Sequence, residues 1–389
     1  MPEVNPAILS WARNSAGLSR EEAVAKLPLK GAFGKTAVER LEDLESGVAA
    51  PTRPMLVKMA KQYRRPLVAF YLASPPKAGK RGTDFRRLGG SAPRNGEAAV
   101  QALVRQVVAS QSILRDVLVE EEAEEVPFVG ALTLADGREA AFDHVDRLVG
   151  DAHPRNARNP AAAFDRLRTT LHDHGVFVVL KGDLGSHHTA LDPEQFRGFA
   201  LADQLAPFIV INPNDARPAW SFTLVHELVH LLLGSTGISG SATNHEVEHF
   251  CNGVAAQYLL PDEALADLDP ADSGPGQLIA AMDALAATYN VSRPVVALGL
   301  LRVGRIDQNE LQRLLRRFRA QWQEAREGRG AEARETDSGF SPWVVKRHRA
   351  GKELLAVVKR ALLAGDLSTT RAAIVLGVKP TQLGTMLSA

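Results

Sequence analysis

Hydrophobic residues recur at intervals of three and four through most of the chain, a period that predicts a largely helical structure. The first block reads as five short helices: Pro6–Asn14, Arg20–Leu27, Thr36–Glu45, Pro54–Tyr63 and Pro66–Leu72. Asn5 and the Ser19/Glu22 capping box mark helix starts, and Ser46-Gly47 marks a stop. A long amphipathic helix is predicted over Glu97–Glu125, with Val100, Leu103, Val104, Val107, Val108, Ile113, Leu114 and Val117 on its apolar face. Its acidic end is unfavourable at a helix C-terminus and predicts fraying. Pro127–Asn159 carries no clean period and reads as a helix or an irregular packing layer. After a helix at Pro160–His174, the pattern changes. Gly175–Leu180, Phe196–Leu201 and Pro207–Asn212 are short, continuous apolar runs, which predict buried strands. Helical spacing returns over Asn244–Pro261, Gly276–Tyr289, Ser292–Arg302 and Asp307–Glu327. Ser341–Ser388 forms a last unit that reads helix, turn, helix, with Ser368 as a cap, either a second helix-turn-helix or an interaction tail. The fold class is α+β, mostly helical, with a small sheet.

One stretch stands apart from this pattern. Thr223–Leu233 is apolar on almost every side, which predicts a buried helix, yet it contains His226-Glu227-Leu228-Val229-His230. Residues four apart share a helix face, so both imidazoles can point at one metal. Glu227 lies about 100° round the helix, where its carboxylate can reach a metal-bound water without being a ligand. That arrangement suits a general base beside a zinc ion, which lowers the pKa of water to about 7. The competing reading is a pair of core histidines hydrogen-bonded to Glu227. A catalytic zinc takes three protein ligands, and the next helix offers His245, Glu246, Glu248 and His249. Composition alone does not choose among them.

The segments FTLVHELVHLLL and VEHFCNGVAAQYLLP, with the lead-in FRGFALADQLAPFIVIN, resemble the ImmA/IrrE family of bacterial metallopeptidases. The likeness is close over residues 161–261. It implies a zincin layout, with a small sheet above the catalytic helix and a strand edge along the cleft where a peptide can add. It also implies that Glu248 is the third zinc ligand, in an E-x-x-x-N pattern whose Asn252 orients it, with His249 or His245 as the fallback. The substrate class it implies is a repressor-type transcription factor, cut in a stress or damage response. VSRPVVALGLLRVGRI resembles the family's helical tail, except that Gly299 stands where arginine is expected. The residue that stabilises the oxyanion is not visible in the sequence.

The N-terminal helices resemble an Xre-type helix-turn-helix domain. That resemblance implies contacts to double-stranded DNA from Lys35, Thr36, Glu39 and Arg40, with Lys30 on the loop before them. Two features depart from the pattern: the connection Pro28–Lys35 is long, and Glu39, Glu42, Asp43 and Glu45 make the third helix acidic, which suits phosphate poorly. The competing reading is a module that binds protein or covers the peptidase.

The expected domains are 1–75, helix-turn-helix; 76–96, a Pro/Gly/basic linker; 97–327, zincin-like peptidase; 328–340, a charged linker; and 341–389, a small helical unit. Arg81, Arg86, Arg87 and Arg94 of the first linker are candidate phosphate contacts, and Asp84-Phe85-Arg86 matches a segment that follows this type of domain. Formal net charge is +1, although Met1–Leu88 carries roughly twice as many basic as acidic residues. The single cysteine, Cys251, excludes an internal disulfide framework and suits a reducing cytoplasm, and no apolar run is long enough to span a membrane. Cys251 follows Glu248 by three residues and reads as a buried cysteine or a redox-sensitive thiol; His187 and His188 read as an exposed loop pair or a substrate contact. Two functions therefore compete. The first is a zinc-dependent endopeptidase fused to a regulatory domain. The second is a DNA-binding, antitoxin-like regulator whose metal site is structural or sensory.

Overall fold

A computed structural model describes residues 4–76 except 28 and 33; 97–332 except 187, 188, 239–244, 267 and 269–274; and 341–388. Both arginine-bearing parts of the first linker, with Asp84-Phe85-Arg86, and the pair His187-His188 lie outside the described residues. Two compact units divide the chain, with the boundary inside one helix: residues up to 106 with 186–191, and residues 107–185 with 192 onward.

The first unit contains α1 (Pro6–Ser15), α2 (Arg20–Lys26), α3 (Ala37–Ser46) and α4 (Arg53–Gln62). The fifth predicted helix is a single 3-10 turn, Leu67–Tyr71. Asn5, Ser19, Thr36 and Thr52 cap the four helices through their side chains, so most of the starts coincide with readable polar residues. Ile8, Leu9, Leu41, Leu56, Met59, Tyr63 and Phe70 form the core. Beneath them, Arg13 grips Glu45 with two hydrogen bonds of 2.6 and 3.0 Å.

Helix α5 (Glu97–Glu120) stops five residues before the predicted end, and its Val108 is exposed. Glu122, just past the helix end, adopts φ +51. In the second unit, the uncertain stretch contains α6 (Gly137–Val149), followed by α7 (Pro160–Asp173). Four strands follow in part, β1 (Phe177–Leu180), β2 (Gly198–Leu201) and β3 (Phe208–Ile211), then α8 (Arg217–Leu232) and β4 (Gly237–Ile238). Three strands were predicted; β4 is the fourth, and two residues are too few to show a period. The order is β1-β3-β2-β4, with β1 parallel to β3 and the other pairs antiparallel. β1, β2 and β3 are buried throughout, which is why they read as continuous apolar runs rather than alternating ones.

Helices α9 (His245–Leu259), α10 (Pro275–Tyr289), α11 (Arg293–Arg302) and α12 (Gln308–Glu332) complete the helical layer. α12 continues through the first residues of the predicted linker 328–340, because glycines at 328 and 330 weaken a helix by about 1 kcal/mol each without stopping it. No single helix among the described residues is long and apolar enough to cross a membrane. The last helices are α13 (Pro342–Ala350), α14 (Lys352–Ala364), α15 (Thr369–Leu376) and α16 (Leu383–Leu387). They lie in the second unit, where α13 packs on β1, an edge strand of the sheet. The buried Arg168 of α7 makes that junction. Its Nε and Nη2 donate to Val178 O on β1, and its Nη1 and Nη2 donate to His348 O and Arg349 O at the end of α13. Gly351 leaves the space: a Cβ there would lie 2.7 Å from the Arg168 guanidinium, and its φ of +88 suits glycine.

Candidate metal centre

Helix α8 is buried because its residues from Leu224 onward are mostly large and apolar. Leu224, Val225, Leu228, Val229, Leu231 and Leu232 are all within 1% of complete burial, and α8 packs against α6, α7, α9 and the sheet. His226, Glu227 and His230 are carried inside with it, at 3%, 0% and 3% exposure, so each needs a partner. The four-residue spacing brings the two rings together as the sequence predicts, with Nε2 of His226 and Nε2 of His230 3.1 Å apart. Helix α9 packs on α8 and adds Glu248, whose Oε2 is 3.5 Å from His226 Nε2 and whose Oε1 is 3.2 Å from His230 Nε2.

These three separations fit a metal. A tetrahedral zinc with bonds of about 2.0–2.1 Å sets its ligand atoms about 3.3–3.4 Å apart. The donor set, two imidazoles and one carboxylate, is also one that zinc accepts at catalytic centres. Electrostatics agrees. Burial works against charge on His230, but Cys251, Glu248 and Glu227 together push its pKa well up. Burial likewise opposes the charged form of Glu248, yet hydrogen bonds with His226 and His230 hold it well below the usual carboxylate range. The cluster thus attracts one positive charge to the point where its three groups converge. Glu248 is its most accessible member, with a side chain 19% exposed against 4% for each histidine, so the centre opens on the α9 side.

Glu227 lies completely buried beside the sheet. Gly198 of β2 makes room for it: a Cβ there would sit 3.1 Å from Glu227 Oε1 and 2.5 Å from the Thr223 methyl. On the other side of the cluster, His230 Nδ1 is 2.9 Å from Ser235 Oγ. Neither Gly198 nor Ser235 was singled out from the sequence. Gly198 had a usable signal, since a glycine inside a strand pattern marks close backbone approach. Ser235 had none.

The remaining candidates separate cleanly. His249 is turned to Arg138, whose Nη2 is 2.8 Å from its Nδ1, and His245 is exposed at the start of α9; neither joins the cluster of His226, His230 and Glu248. Asn252 is half-buried one turn beyond Glu248. Cys251 is fully buried. At Gly299 a Cβ would meet Leu265 at 2.8 Å, which leaves no space for the arginine expected there.

In the first unit the side chains of Lys35, Thr36, Glu39 and Arg40, four of the five residues named for DNA contact, are engaged with their own neighbours. Lys35 Nζ is 2.6 Å from Asp43 Oδ2, and Arg40 Nη1 donates to Lys30 O. Thr36 and Glu39 form the reciprocal capping box of α3. Arg20 bonds Glu42 and Glu45, so α3 presents carboxylates already matched from within the unit.

Residues 173–301 match the family of IrrE N-terminal-like domains, Peptidase_M78. The match contains α8, the sheet and all three members of the cluster, and it supports a metallopeptidase-type function. No curated protein and no solved structure matches the chain.

Proposed function

We propose that this chain is a zinc-dependent endopeptidase in which His226, His230 and Glu248 hold the metal and Glu227 is the general base. The observation that carries this reading is the convergence of three ligand atoms, 3.1 to 3.5 Å apart, on a helix whose surroundings are otherwise apolar. When bound, zinc supplies Lewis-acid chemistry: it acidifies water to a pKa of about 7 and draws electron density from a peptide carbonyl. Glu227, buried and fixed beside β2, takes a proton from the attacking water and passes it to the leaving amine nitrogen. Gly198 keeps the space in which that carboxylate lies.

The family resemblance supports a narrow protein substrate, a repressor-type transcription factor cut in a stress or damage response. Its support for a helix-turn-helix role of the first unit is qualified by α3, where Lys35 and Arg40 are committed to Asp43 and to the Lys30 carbonyl. That feature favours a protein partner over phosphate for this face.

The test is elemental mass spectrometry of the purified chain. About one zinc per chain is expected, lost in Glu248→Ala and retained in Glu227→Gln, which in turn is expected not to cleave. No metal taken up on adding zinc would sink the peptidase reading and shift the function to a regulator. A Glu227→Gln variant cutting at the wild-type rate would remove Glu227 from its role.

A further inference from the structure

The two imidazoles of the cluster are held differently on their outer sides. His230 Nδ1 has Ser235 Oγ at 2.9 Å, whereas the buried His226 Nδ1 has no hydrogen-bond partner among the described residues. Ser235 is not loosely placed. Its N–H donates to His230 O at 2.9 Å, and the Gly234 N–H donates to Leu231 O at 2.9 Å, with Gly234 at φ +60. This is the left-handed residue with which helices commonly end. The Gly130 N–H bonds the same Leu231 carbonyl at 2.9 Å, and the Thr236 hydroxyl accepts the Ala202 N–H at 2.9 Å. The end of α8 is thus tied on both flanks, and the tied turn delivers one hydroxyl to one ring nitrogen.

We propose that Ser235 is a positioning residue for the metal centre: its Oγ accepts the Nδ1–H of His230 and so fixes the tautomer whose Nε2 lone pair faces His226 and Glu248. This inference rests on the zinc-site reading above. A neutral imidazole has one protonated nitrogen and one lone pair, and an acceptor on the Nδ1 side decides which is which. The same bond holds the ring plane, the task outer partners perform for metal-binding histidines, where their loss weakens metal affinity by about 10- to 100-fold. Of the two histidines, His230 is therefore the one oriented from its outer side, whereas His226 Nδ1 has no such partner among the described residues.

The experiment is zinc affinity of the full chain, by competition with a chromophoric chelator, for the wild type, Ser235→Ala and Ser235→Thr. Thermal melting of each metal-free protein is measured beside it. Ser235→Ala is expected to weaken zinc binding by about 10- to 100-fold with an unchanged metal-free melting point. Ser235→Thr, which keeps the hydroxyl, is expected to retain wild-type affinity. Unchanged affinity in Ser235→Ala overturns the assignment, and so does a loss matched by an equal fall in metal-free stability, since that would make Ser235 a helix-end residue only. A wild-type chain that takes up no zinc overturns the metal reading itself and this assignment with it.

Discussion

His230 and His172 are both nearly sealed histidines beside a charged partner, 3% and 4% exposed, yet their surroundings are built on opposite rules. Around His172 the donors end on acceptors. All three Arg168 nitrogens donate to carbonyl oxygens, and His172 Nε2 lies 3.2 Å from one of them, Val178 O. Around His230 the groups that meet are all lone-pair bearers when neutral or ionised in the usual way: two Nε2 atoms and a carboxylate. The first cluster is complete without any addition. The second brings three lone-pair bearers to one point, the arrangement that a cation completes. Burial and charge alone do not mark a site; convergence of like groups does.

Three changes would break or sharpen this contrast. Arg168→Met has the largest expected effect on stability, because His348 O and Arg349 O lose the guanidinium and Val178 O keeps only His172 Nε2. Urea unfolding should show a loss of about 3–5 kcal/mol, with zinc uptake by the refolded fraction intact. A loss below about 1 kcal/mol would mean that the carbonyls find other partners.

The second concerns acid. Burial first, then the Arg168 charge, pulls the His172 pKa down from its ordinary 6.5 to about 4. The folded state therefore refuses a proton that the unfolded state accepts. The resulting stability is fully present above pH 6.5 and falls as the pH drops toward about 4, by up to about 3 kcal/mol. Denaturant midpoints across that window should follow this slope, and His172→Gln should flatten it. A wild-type midpoint that does not move between those limits would refute the neutral buried state.

The smallest effect expected is that of Gly198→Ala. The added methyl meets Thr223, the Val210 carbonyl and Glu227, so a loss of about 1–3 kcal/mol is expected from overpacking. Adding Thr223→Ser removes the 2.5 Å contact and should restore most of that stability, leaving the closer approaches to Val210 O at 3.0 Å and Glu227 Oε1 at 3.1 Å. If the double variant is no more stable than the single one, the crowding lies elsewhere.

What could be read in the sequence follows the distance over which each signal acts. The H-E-x-x-H face of α8 was legible because four-residue spacing and an apolar setting are local facts. Glu248 was legible only through resemblance, since its neighbours His245, Glu246 and His249 are equally plausible donors by type. Over α6 the sequence left a helix and an irregular layer both open, because the fully buried stripe is only Ala141, Val145 and Val149. Gly198 and Ser235 act on residues of other elements, and their roles emerge only when the strand and the turn are laid against α8. The same holds for residues 341–388: their helices were readable, but nothing in them announces that the backbone of His348 and Arg349 meets a guanidinium from α7.

That last junction bears on how this protein is made and cut. Val178 O belongs to an edge strand, and Arg168 with α13 covers it. During synthesis β1 leaves the ribosome long before α13 exists, so for that interval the sheet carries a bare margin open to pairing with other chains. The same margin is bared in a fragment trimmed to the matched residues, 173–301, which discards Arg168 and α13 together. A piece cut at those borders would keep His226, His230 and Glu248 together and lose the cover that keeps its sheet from sticking to a neighbour.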